Sequence, residues 1–65
     1  MYYIFYSTND VFAGEEILKK NKIEYKIVPT PVKDSVYCGV CLLSDEKRDK
    51  VMKLFSELKF IAYEK

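Results

Sequence analysis

The chain has no histidine, and only two glycines, two prolines and two cysteines in 65 residues. Without histidine there is no Cys-His pair and no imidazole base, and neither a glycine-rich phosphate loop nor a spaced carboxylate pair stands in their place. A self-sufficient catalyst is therefore not expected. Cys38 and Cys41 alone are half of a tetrahedral zinc set, whose remaining ligands would have to be carboxylates or come from a second subunit, so no metal site is assigned and no cofactor is called for. Two cysteines are also too few for a disulfide framework, and in a reducing compartment both are expected as free thiols.

Charge of one sign is missing as well. Eleven basic side chains against ten acidic ones leave a formal charge of +1, too weak a field to draw nucleic acid or an anionic membrane. No apolar run approaches the ~18 residues that span a bilayer. The opening MYYIFYSTND lacks the basic segment, apolar run and small-residue cleavage site of a leader. The expected location is the cytoplasm. No repeat, low-complexity segment or interdomain linker is visible, so residues 1–65 read as one domain. At this length folding buries only about 60% of the unfolded surface, and association with a second copy would help stability.

What is present is apolar and aromatic: 49% hydrophobic residues, including six tyrosines and four phenylalanines, enough for a small core. Residues 2–6 are β-favouring, and Ser7-Thr8-Asn9-Asp10 then offers N-cap candidates for a helix. In that helix Val11, Gly14, Ile17 and Leu18 form one stripe. Glu15 with Lys19 and Glu16 with Lys20 form i,i+4 pairs on the solvated side, and Asn21 is the C-cap candidate. Residues 24–28, EYKIV, alternate as a second strand that Pro29, lacking an N–H, is expected to stop. Residues 37–43 are apolar almost throughout and read as a central third strand. Ser44-Asp45-Glu46 is the expected cap of a second helix whose inner stripe is Val51, Leu54, Phe55 and Leu58, with DEKRDK as its solvated first turns. Residues 60–63 form a short last strand.

This order, β-α-β-β-α-β, predicts an α+β ferredoxin-like fold: an antiparallel sheet in the order 4-1-3-2 with two helices on one face. An RNA-recognition domain shares the topology, but its third strand carries stacking aromatics after a basic residue, where this chain reads CGVCLL. Nucleic-acid binding is therefore not expected.

The distinctive stretch is PTPVKDSVYCGVC, residues 29–41. The topology brings Cys38 to the sheet edge where the first helix begins. The positive end of a helix dipole favours an anion there, with Lys33 on the loop supporting it and Asp10 opposing it. A thioredoxin-like reading of Cys38 and Cys41 does not fit, since residues three apart on a strand point to opposite faces. Cys38 is expected to be the more reactive thiol and Cys41 to be strand packing.

YYIF at the start, AGEEILKKNKIEY across the first helix and second strand, and above all PTP followed by CG resemble the sulfur/selenium carrier-like family of short domains. The similarity runs over nearly the whole chain, and its specific part is Pro29, Thr30, Pro31, Cys38 and Gly39. The resemblance implies that Cys38 holds a sulfur or selenium atom as a persulfide-type adduct and exchanges it with donor and acceptor proteins, with Pro29, Thr30, Pro31, Lys33 and Gly39 as the binding loop. Family members commonly carry an arginine directly after PTP, where this chain has Val32 and then Lys33.

Plainer readings stand beside these. Cys38 can be a small hydrophobe at a strand start, the prolines can merely stiffen a loop, and Gly39 can relieve crowding at a bulge or admit a partner. The alternative function is a non-catalytic interaction or regulatory module. Its sheet face, with Tyr3 and Phe5 or Tyr2 and Tyr6, would pair with another protein or form a homodimer.

Overall fold

The β-favouring, largely aromatic run YYIF makes Tyr2–Phe5 a strand, β1, whose four residues run from half-buried to fully buried. It is followed at once by a helix, α1 (Thr8–Lys20), capped by Ser7, whose hydroxyl accepts the Asp10 N–H at 3.3 Å. Two edge and inner strands come next, β2 (Lys26–Pro29) and β3 (Val40–Leu43). A short helix, α2 (Arg48–Leu54), leads to the last strand, β4 (Phe60–Tyr63). The computed structural model describes residues 1–32 and 34–64. The strands form one antiparallel sheet in the order β2-β3-β1-β4, the expected 4-1-3-2 read from the other side.

Strand alternation sorts the side chains between the two faces. Tyr3 pairs with Leu42 and Ala62, and Phe5 with Phe60. These point toward the helices and meet Val11 and Leu18 of α1 and Val51 and Phe55 from the second helical segment in one buried cluster. Phe55 stands edge-on to Tyr3, Phe5 and Phe60, with ring centroids 5.5–5.6 Å apart, a favoured aromatic geometry. Both helices therefore cover one face. Gly14 lets α1 approach closely: a Cβ there would lie 2.9 Å from Phe5 and 3.1 Å from Leu42.

The end of α1 is closed by a Schellman motif. Asn21 is the C-cap, the Lys22 N–H donates to the Lys19 carbonyl and the Ile23 N–H to the Leu18 carbonyl. Ile23 and Leu18 then share the core. Lys22 sits in the left-handed region with φ of 56°.

Several element boundaries differ from the sequence reading: β1 ends at Phe5, β2 starts at Lys26, α2 ends at Leu54 short of Leu58, and three further differences have a visible cause. Pro29 does not stop the ladder. It pairs with Val40, and Thr30 carries the pairing on by donating its N–H to the Gly39 carbonyl. A proline is tolerated because β2 is an edge strand. The third strand begins at Val40 and not at residue 37, because the Cys38 N–H is taken by the Phe5 carbonyl and the Cys38 carbonyl by the Thr30 side chain. The second helix starts later than the acidic run suggests, with Lys47 at its N-cap. Ser44 is buried and its hydroxyl donates to the Glu24 carbonyl while accepting from the Glu46 N–H. The residues read as a cap instead tie β3 to the lead-in of β2, and of DEKRDK only Arg48, Asp49 and Lys50 are helical.

The aromatic pairs named for the interaction face also separate. Tyr3 and Phe5 belong to the core, whereas Tyr6 is exposed and Tyr2 partly so. No helix among the described residues is long and apolar enough to cross a membrane.

Candidate functional site

Three segments converge where β1 ends: the Ser7 cap and Thr8 at the start of α1, Thr30 after β2, and Cys38-Gly39 ahead of β3. The Cys38 main chain is fixed on both sides. Its N–H donates to the Phe5 carbonyl at 2.8 Å, and its carbonyl accepts from the Thr30 hydroxyl at 2.6 Å. Thr30 also donates its N–H to the next carbonyl, that of Gly39, at 3.0 Å. One residue of the PTP segment thus clamps both carbonyls at the cysteine.

The side chain makes a longer, exposed contact. Cys38 Sγ lies 3.6 Å from Thr8 Oγ1, and either atom can be the donor. Thr8 is the first residue of α1. The thiol packs against the edge of the core yet remains partly exposed, which is what a group that must meet a reagent or a partner requires.

Cys41 has different surroundings. It is fully buried, alternates with Leu42, and so lies on the face away from the helices. Its sulfur points to the Pro29 carbonyl at 3.9 Å. Burial pushes its pKa up, the Thr30 hydroxyl works against that, and the neighbouring Cys38 adds to it. Both cysteines are free thiols, and Cys38 packs against the core on the helix side whereas Cys41 lies on the other face of β3.

The remaining predicted residues are distributed along the loop. Pro29 ends β2, Pro31 is half-buried just beyond Thr30, and Lys33 lies outside the described residues. An Asp34 turn follows, its carboxylate accepting the Val36 N–H and its carbonyl the Tyr37 N–H. It brings the Tyr37 ring onto Tyr6 at 5.4 Å. Gly39 is exposed, lacks a positive φ, and has nothing within 4 Å of where a Cβ would sit. The reading that it relieves crowding is therefore wrong, and the space beside it is open.

Two participants escaped the sequence reading. Thr8 was visible only as one of several cap candidates, although its hydroxyl is the group that reaches the sulfur. The Tyr6–Tyr37 pair joins residues far apart in sequence with no local signal. A surface groove of about 790 Å³, lined by Lys22, Glu24, Tyr25, Lys26, Ser44 and Glu46, lies at the opposite end of the sheet. Its hydroxyls are already paired, Tyr25 with Glu15 and Ser44 with the Glu24 carbonyl, and no cysteine lines it. Among the described residues no cluster of three or more metal-ligating side chains occurs.

A family model described as "Putative Se/S carrier protein-like" matches residues 1–64. The chain belongs to that family. The match covers Phe5, Thr8, Thr30, Cys38 and Cys41 alike. No curated protein and no solved structure matches the chain.

Proposed function

We propose that this Se/S carrier-like protein carries a sulfur or selenium atom on Cys38 and passes it between a donor and an acceptor protein. The observation that carries the reading is the contrast between the two thiols within a family named for such transport. One is partly exposed, anchored on both main-chain sides and held at the first residue of a helix; the other is buried in a strand. The remaining residues of the PTP segment and Gly39 then form the surface that a partner meets.

The chemistry is exchange without net oxidation. The Cys38 thiolate attacks the terminal sulfur of a donor persulfide, the donor's S–S bond breaks, a new S–S bond forms on Cys38, and the donor leaves as a thiolate. Transfer to an acceptor thiol repeats the step in the other direction. No histidine is needed, because the attacking group is already a good nucleophile as its anion and the leaving group is a thiolate.

The test is intact mass after incubation with a cysteine desulfurase and its substrate. Wild type is expected to gain the mass of one sulfur atom, Cys38→Ser to gain none, and Cys41→Ala to gain it as wild type does. Loading that persists in Cys38→Ser would end this reading.

A further inference from the structure

The two edges of the sheet differ in how they are defended. β2 begins with Lys26 and ends with Pro29, and charge and proline are the devices that keep an edge from pairing with another strand. β4 reads FIAY, without charge or proline. It has β1 on one side and, among the described residues, no strand on the other. Its outward N–H and C=O groups are a ready template for a further strand.

We propose that β4 is a dimer edge, two copies of the chain pairing antiparallel through Phe60–Tyr63 about a two-fold axis perpendicular to the sheet. Such an axis keeps both helix layers on one side, so residues opposite one another must face the same way. The register that satisfies this places Ile61 opposite Ile61, Phe60 opposite Ala62 of the second copy, and Lys59 opposite its Tyr63. A large ring meets a methyl on the helix side. On the other side two isoleucines touch and a lysine stem lies along a phenol ring. Shifting by two residues loses this fit: Phe60 then meets Glu64, or Tyr63 meets Glu57.

Charge favours antiparallel over parallel pairing. Lys59 and Glu64 are exposed and lie immediately outside β4 at its two ends. Antiparallel pairing brings Lys59 of one copy to the end that holds Glu64 of the other, on opposite faces but neighbouring positions at both ends of the ladder, whereas parallel pairing would stack like charges. A four-residue strand contact buries less than the roughly 1,200 Å² of a standard interface, so the dimer is weak and concentration-dependent. It is independent of the carrier reading, because Cys38 lies on the β3 side of β1 and stays uncovered.

Light scattering on the whole chain from about 10 μM to about 1 mM should show the mass rising from 7.7 kDa toward twice that value. Ile61→Lys should remain at 7.7 kDa throughout, with a far-ultraviolet spectrum matching wild type. Lys59→Glu and Glu64→Lys should each weaken association about 2- to 10-fold and their combination should restore it. These charge swaps lie outside the strand and test the edge even where Ile61→Lys disturbs folding. A constant 7.7 kDa mass in the wild type overturns the proposal, as does a folded Ile61→Lys that dimerises normally, or charge swaps that leave association unchanged.

Discussion

The Thr30 hydroxyl donates to the Cys38 carbonyl at 2.6 Å across eight residues of chain, while its backbone N–H holds the carbonyl of Gly39. This clamp is what makes the intervening loop a mount for the thiol. It also explains why Cys38 lies ahead of β3 and not inside it.

Removing the hydroxyl should loosen the mount without dissolving the fold. Thr30→Val is expected to lower stability by about 0.5–1.5 kcal/mol, the usual worth of a hydrogen bond, and Thr30→Ser to recover most of it. Urea denaturation measures both. Alkylation of Cys38 under native conditions should change in Thr30→Val and not in Thr30→Ser; equal behaviour of the two variants would show that the clamp does not act on the thiol.

Gly39 offers a separate test of whether the space beside the thiol is used. Neither backbone conformation nor crowding demands glycine there, so Gly39→Ala should leave stability unchanged or raise it by about 0.4–1 kcal/mol through the unfolded chain. A partner approaching Cys38 would meet the new methyl group. Sulfur loading by a donor enzyme should therefore slow in Gly39→Ala while alkylation by a small reagent does not; loading at the wild-type rate would remove Gly39 from the docking surface.

The order of elements was legible in the residues, because the β-favouring runs YYIF and FIAY and the Val11, Gly14, Leu18 stripe report local geometry directly, whereas which aromatic pair of β1 faced the helices was not. The boundaries were not, and the reasons are tertiary. Residues 37–39 continue an apolar run, and nothing local reveals that Thr30 and Phe5 take their hydrogen bonds. Ser44-Asp45-Glu46 has the composition of a cap, but its serine is spent on Glu24, twenty residues away. The site was half visible. PTP and CG marked the loop and the thiol through resemblance, whereas the contact of Thr8 with Cys38 spans thirty residues and leaves no periodic trace.

Lys22 is the one residue with a left-handed backbone conformation among the described residues, φ of 56° at the position after the C-cap of α1. A non-glycine residue there costs about 1–2 kcal/mol, offset in part by the greater freedom glycine has when unfolded. Lys22→Gly should raise stability by about 0.5–1 kcal/mol in chemical denaturation, provided the Schellman motif sets that conformation. A loss of stability would mean that the lysine side chain itself contributes to the helix end.

The dependence of stability on pH reports the burial of Cys41 without any sulfur donor. Burial raises the Cys41 pKa above its ordinary value of 9.0, and burial likewise raises Tyr3 above 10.0. In the unfolded chain Cys41 loses its proton near the ordinary value, while in the folded chain it keeps it, so over that interval the unfolded state binds fewer protons. Stability should be fully present below pH 9 and should fall as pH rises through the folded value, by at most about 1.4 kcal/mol per pH unit for one group. Cys41→Ala should be less stable near neutrality, from the cavity it leaves, but should lack the part of the alkaline decline that begins nearest pH 9. The decline above pH 10 should remain in that variant and diminish in Tyr3→Phe, which also removes a buried hydroxyl that has no hydrogen-bond partner among the described residues. The measurement is the urea midpoint at successive pH values for the three proteins. Parallel profiles for wild type and Cys41→Ala would show that Cys41 ionises without resistance from the fold, and would place it nearer to solvent than a fully buried strand position.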